Sequence, residues 1–177
     1  MALDHHIAAE IARRYFNLPS PPDPLGWGIG GYVYLSPQPG RVVKVHNHEE
    51  GYARELEVYR RLQRLRMTRL HGLTIPRLSS NRDDLRVIEM DFVSAPYLLD
   101  FAGVRFSPPD FSDDAMQKWH ADIEAVYGPN SSIIYAVYHS LSQHGMYYMD
   151  FRVSNVKLDG LSGLQPYDSP GINDAPW

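Results

Sequence analysis

The chain contains no cysteine. That removes disulfide frameworks and thiolate zinc sites and points to a reducing compartment. It has no apolar run near the roughly 18 residues that a membrane helix needs, and its opening stretch "MALDHHIAAEIARR" lacks the apolar core of a signal peptide. A cytoplasmic protein without membrane contact is the expectation. Positive charge is not in excess either, because 17 Lys and Arg stand against 21 Asp and Glu, a formal charge of −4. This balance argues against a general electrostatic grip on nucleic acid or anionic lipid. No internal repeat or low-complexity segment is present.

What the chain does have is 177 residues that are 44% hydrophobic, with three Trp, six Phe and twelve Tyr. That is enough for one sizeable core, or for two small lobes sharing a cleft. Asp4 is placed to cap a helix with Ile7, Ile11 and Tyr15 on one face, before "NLPSPPDP" stops it. Residues 1–24 therefore read as a leader helix and a proline-rich linker. "YVYL", the turn "SPQPG" and "RVVKV" predict a hairpin. Tyr52, Leu56, Tyr59, Leu62 and Leu65 then recur at helical spacing across 48–66. "LTIPRLSS" and "LRVIEMDFV" suggest two more strands, after which "SAPYLLDF" leaves the sheet. "DDAMQKWHADIEAVYG" and "SSIIYAVYHSLSQHG" read as helices, the second stopped by Gly145, and short strands and turns close the chain. An α+β fold follows from this order.

Three features carry chemistry. "LGWGIGGYVYL" places Gly26, Gly28, Gly30 and Gly31 just before Val33. The pattern G-x-G-x-x-G-x-V lies between two strands, not between a strand and a helix, which excludes a dinucleotide-binding fingerprint. A glycine hairpin of this kind can lay bare backbone N–H groups over phosphates; a purely structural turn is the alternative. Eleven residues past Val33, Lys44 sits among valines, either as an edge-strand lysine or as a phosphate ligand. Eleven residues further, Glu55 lies on the helix and can pair with Lys44 to hold its ammonium against phosphates, with Glu57 as the rival partner.

"MYYMDFRVSNV" adds Asp150 and Asn155 in the spacing D-x-x-x-x-N, with Arg152 between them, and Asp168 in "PYDSPG" follows Asn155 by thirteen residues. With these elements in this order the chain resembles the protein kinase superfamily over about residues 25–170. The resemblance implies a small twisted antiparallel sheet with one helix (25–93) and a reduced, mostly helical C-terminal lobe (94–177). It implies ATP and Mg²⁺ as cofactors and phosphoryl transfer to a hydroxyl of an acceptor. The glycine hairpin and Lys44, held by Glu55, would hold the phosphates. Asn155 and Asp168 would hold magnesium, and Asp150, with Arg152 beside it, would accept the proton. Met90 would be the gatekeeper, and Asp91 to Val93 would offer backbone groups to adenine.

The departures from the family also carry expectations. Tyr148 and Met149 replace the usual His-Arg, Ser169 and Pro170 replace Phe-Gly, and only nine residues follow Asp168. Control through a phosphorylated activation loop is not expected, nor is the usual peptide platform. A nucleotide-binding module that works through a partner, or a scaffold that binds no nucleotide, are the alternative readings. The pairs His5–His6 and His46–His48 read as solvated histidines with no ligand set around them. Asp150 and Asn155 can also simply close a turn, and Asp168 can start one.

Overall fold

The computed structural model describes residues 3–167. Asp4 caps α1 (His5–Phe16), its carboxylate accepting from the His6 amide at 2.8 Å, and Asn17 ends the helix in the left-handed conformation. The chain continues through β1 (Gly26–Gly28), β2 (Gly31–Leu35), β3 (Arg41–His46), α2 (Glu49–Arg64), β4 (Arg69–Leu70) and β5 (Leu73–Thr74). β6 (Leu78–Arg82), β7 (Val87–Asp91), β8 (Tyr97–Leu98), α3 (Asp113–Tyr127), α4 (Ser131–Ser142) and β9 (Val156–Lys157) complete it. The main sheet has the order β1-β2-β3-β7-β6 with every neighbour antiparallel. A smaller sheet runs β4-β5-β8-β9. This is the expected α+β class with a small antiparallel sheet and a few helices.

The unbroken apolar run "RVVKV" has a direct cause. β3 lies between β2 and β7 and is covered on both faces, so both sets of alternating side chains must suit burial. Val42 faces α2 and joins a core with Leu56, Tyr59, Ile88 and Met90; Val43 and Val45 face the other way. The same core continues through Phe101 into Ile134, Val137 and Leu141 of α4 and Tyr148 and Phe151 beyond it. The α2 side of the sheet, α2 and α4 thus share one apolar interior.

The expected N-terminal helix packs on the fold: Ala8, Ala9 and Ala12 lie on the outer face of the main sheet with Tyr34, Val43, Val45, Leu85 and Val87. Its buried stripe is alanine because small side chains let the helix lie close to the strands, and Ile7, on the expected apolar face, is 52% exposed. "SAPYLLDF" leaves the main sheet as expected, and its Tyr97 and Leu98 form β8 of the smaller sheet, between β5 and β9. β1, which directly follows the proline-rich linker, has three residues. Among the described residues no helix is long and apolar enough to cross a membrane.

Gly31 is the one glycine of the hairpin that the fold itself demands. Its φ is +149°, and a Cβ there would sit 2.1 Å from the Val45 carbonyl oxygen. Gly31→Ala is expected to destabilise the protein by about 2 kcal/mol or more, lowering Tm by about 4–8 °C. Gly26→Ala, whose added methyl group would meet nothing within 4 Å, should leave Tm nearly unchanged in the same thermal melt.

Candidate functional site

β3 and α2 set the centre of the site. Alternation along β3 turns Lys44 and His46 toward α2, and the helical period turns Glu55 back toward them. Lys44 Nζ donates to Glu55 Oε2 at 2.8 Å, and the same oxygen lies 2.8 Å from His46 Nε2. All three residues are buried. Burial alone would raise the Glu55 pKa, but the Lys44 ammonium and the His46 hydrogen bond overcome it and hold the carboxyl at about 2. Burial pulls the Lys44 pKa down, and the carboxylates of Glu55 and Asp100 outweigh it and raise the pKa. Glu57, the rival partner, is taken by Arg61 and Arg64 at 2.9 and 3.0 Å. Lys44 is thus a central-strand residue with a buried partner, not an edge guard.

The glycine hairpin closes over this pair. Gly28 and Gly31 face each other across the tip, and Asn47 clamps it by donating from Nδ2 to the carbonyls of Ile29 (2.9 Å) and Gly28 (3.4 Å) and from its amide to that of Gly30 (3.2 Å). A Cβ on Gly30 would lie 3.2 Å from Lys44 Nζ and 3.7 Å from Ala102 Cβ. Val33 is directly opposite Lys44 across the ladder. Gly26 lies on β1, away from the tip.

The Asp150 loop is held from three sides. Trp119 Nε1 donates to the Met149 carbonyl at 3.0 Å, the Tyr127 hydroxyl to that of Phe151 at 2.9 Å, and the Tyr148 hydroxyl to that of Leu99 at 2.9 Å. Inside the loop, Arg152 grips Asp150 with two bonds, Nε to Oδ1 at 2.6 Å and Nη2 to Oδ2 at 2.5 Å. Asn155 Nδ2 donates to Asp150 Oδ2 at 3.0 Å, which aims its amide oxygen the other way. The pair Asp150–Asn155 therefore closes the turn, and both side chains remain at one place.

Met90 is buried on β7 and its sulfur accepts from the Tyr59 hydroxyl at 3.1 Å. The amides of Asp91 and Phe92 bond to the carbonyls of Arg77 and Gly40, and Arg77 also pairs with the Asp91 carboxylate at 2.6 Å. Val93 is half-buried in the segment between β7 and β8. Asp168 lies outside the described residues.

Two residues were missed by the sequence reading. His46 was expected to be solvated, yet it is fully buried against Glu55 because β3 and α2 enclose it, with Nδ1 3.2 Å from the Arg86 carbonyl oxygen. Asp100 follows β8, and its Oδ1 accepts from Lys44 Nζ at 2.8 Å. Its only local signal was an aspartate directly after the short apolar run "YLL". Two open hollows, of about 710 Å³ beside Arg69 and Gly160 and about 640 Å³ along the outer side of α2, include neither Lys44 nor Asp150. Among the described residues no group of three or more His, Asp or Glu side chains converges on a metal position. Set against protein-family models, curated proteins and solved structures, the chain matches none of them.

The lowered Glu55 pKa gives a pH dependence. A carboxylate whose folded pKa lies below its ordinary 4.5 contributes stability that is fully present above about pH 4.5 and is lost as pH falls through about 2. Glu55→Gln, which leaves the Lys44 ammonium short of a buried partner, should cost about 3 kcal/mol at pH 7. The gap to wild type should narrow as thermal melts are taken from pH 4.5 toward pH 2. A gap independent of pH would show that the ionised pair is not its source.

Proposed function

We propose that the chain is an ATP-dependent phosphotransferase with a minimal protein-kinase-like fold, binding Mg-ATP between the glycine hairpin and the Asp150 loop and transferring the γ-phosphoryl group to a hydroxyl. The observation that carries this reading is the Lys44–Glu55 pair, buried at 2.8 Å beneath Gly30, where a side chain would fill the space over the ammonium. A buried lysine so held is a fixed positive charge, and the glycine tip lets backbone N–H groups come close to an anion.

This reading gives each residue a role. Lys44 fixes phosphate oxygens and Glu55 fixes Lys44. Gly28, Gly30 and Gly31 form the cover, Val33 and Met90 bound the nucleotide side, and the backbone at Asp91 to Val93 takes the adenine. Asp150 orients the acceptor hydroxyl and takes its proton once Arg152 lets go of one carboxylate oxygen. The amide oxygen of Asn155, with a carboxylate, is a hard oxygen donor set of the kind that holds magnesium together with phosphates. When bound, the ion would neutralise charge on the phosphate oxygens.

A second reading, a nucleotide-binding module that acts through a partner, is favoured by two contacts. Asp150 is already bidentately paired with Arg152, and Ala102 sits under the hairpin tip, so the hairpin must lift to admit phosphates.

Both readings predict that Mg-ATP at about a hundred times its Kd contributes roughly 2.7 kcal/mol to the folded state, raising Tm by about 5–10 °C. No shift at millimolar Mg-ATP would leave a scaffold without nucleotide. Asp150→Asn should keep Mg-ATP affinity within a few-fold and lower phosphoryl transfer about a hundredfold or more, measured with labelled ATP against the protein itself, peptides and small alcohols. Binding without transfer in wild type selects the second reading.

A further inference from the structure

A magnesium ion beside Asn155 needs a carboxylate besides Asp150, which Arg152 already holds with two bonds, and the chain offers two: Asp168 by its spacing in the sequence, and Asp100 by its position in the fold. Resting on the phosphotransferase reading, we propose that Asp100 is the metal-holding carboxylate, so that the segment carrying it precedes the Asp150 loop in the chain where the kinase order would place it after.

The pairing of the segments puts Asp100 there. Leu98 is in register with Val156 in β8 and β9, and the Leu99 amide donates to the Asn155 carbonyl at 2.8 Å. Beyond Asp100, Arg105 and Tyr147 exchange two backbone hydrogen bonds of 3.1 and 2.8 Å. Segment 97–105 is therefore stapled at one end to the exit of the Asp150 loop and at the other to its entry. Asp100 lies between the staples, where its Oδ1 accepts from Lys44 Nζ at 2.8 Å and from the Ala102 amide at 3.4 Å. Phe101, fully buried, locks it in place: its ring lies 5.4 Å from Tyr59 on α2 and 5.6 Å from Tyr148.

Charge supplies an independent reason. Lys44 already has a buried carboxylate in Glu55, and Arg152 satisfies Asp150, yet Asp100 brings a third carboxylate against these two cations. Its side chain is 32% exposed, whereas Glu55 Oε1 is buried with no hydrogen-bond partner among the described residues. Glu55 and Asp100 thus set two carboxylates against the one Lys44 ammonium, and of the two only the Asp100 side chain can be reached by a solvated ion. Magnesium is usually held by one or two carboxylates plus substrate phosphates, so one such side chain next to Asn155 is sufficient.

Calorimetric titration with a non-hydrolysable ATP analogue, with and without Mg²⁺, tests the assignment without any turnover. In wild type, Mg²⁺ should tighten binding. Asp100→Asn should lose that gain by about tenfold or more, while its metal-free affinity holds or rises because Lys44 has one competing carboxylate fewer. Asp168→Asn should stay within about twofold of wild type. If Mg²⁺ gives wild type no binding at all, the phosphotransferase reading fails. If wild type shows the gain and Asp100→Asn keeps it, or Asp168→Asn loses it, the assignment of Asp100 is overturned and the wider reading stands. Circular dichroism and the Tm of the free variant report its folding. Should Asp100→Asn not fold, Fe²⁺ replacing Mg²⁺ on wild type with the same analogue and ascorbate cleaves the backbone near the metal. Cuts at 99–101 support the proposal, and cuts confined to the neighbourhood of 168 overturn it.

Discussion

A buried ammonium dictates much of this structure. Lys44 stands on the middle strand of a five-stranded sheet, where an unpaired charge would cost several kcal/mol, and α2 has to approach closely enough for Glu55 to answer it. One carboxylate oxygen then serves both Lys44 and His46. β3, α2 and the glycine hairpin are arranged around that oxygen: the hairpin because Gly30 leaves room over Nζ, the helix because Leu56, Tyr59 and Leu62 bury the face next to Glu55. The proposed phosphate chemistry uses a charge that folding has already placed.

The parts of the site that were legible in the sequence are those in which local spacing and burial agree. Lys44 among valines and Glu55 within a helical repeat each fall on a face that the period alone determines, and the structure brings them to 2.8 Å. Asp150 and Asn155 are five residues apart in a turn that their own side chains close. The expected strands and helices of the middle of the chain formed for the same reason.

What was not legible depends on partners distant in the chain. The alanine stripe of α1 gives almost no hydropathy signal, since its merit is small size against a sheet face that Val43, Val45 and Val87 complete. His46 looks like any histidine until α2 packs over it. Asp100 acquires its neighbours only through β8–β9 pairing and the Arg105–Tyr147 bridge, and two-residue strands of this kind leave no period to detect.

The rings that anchor Asp100 form a row: Tyr59, Phe101, Tyr148 and Phe151 meet at interplanar angles of 87°, 59° and 81°. Flat stacks can slide, but rings set edge against face interlock like gear teeth, and each buried one blocks rotation of the next. The row runs from the helix that carries Glu55 to the loop that carries Asp150. A tilt of α2 therefore has to be transmitted to that loop as a rigid displacement or stopped by it, so the molecule has a built-in linkage between the helix that holds the Lys44 ammonium and the loop that Arg152 and Asn155 close.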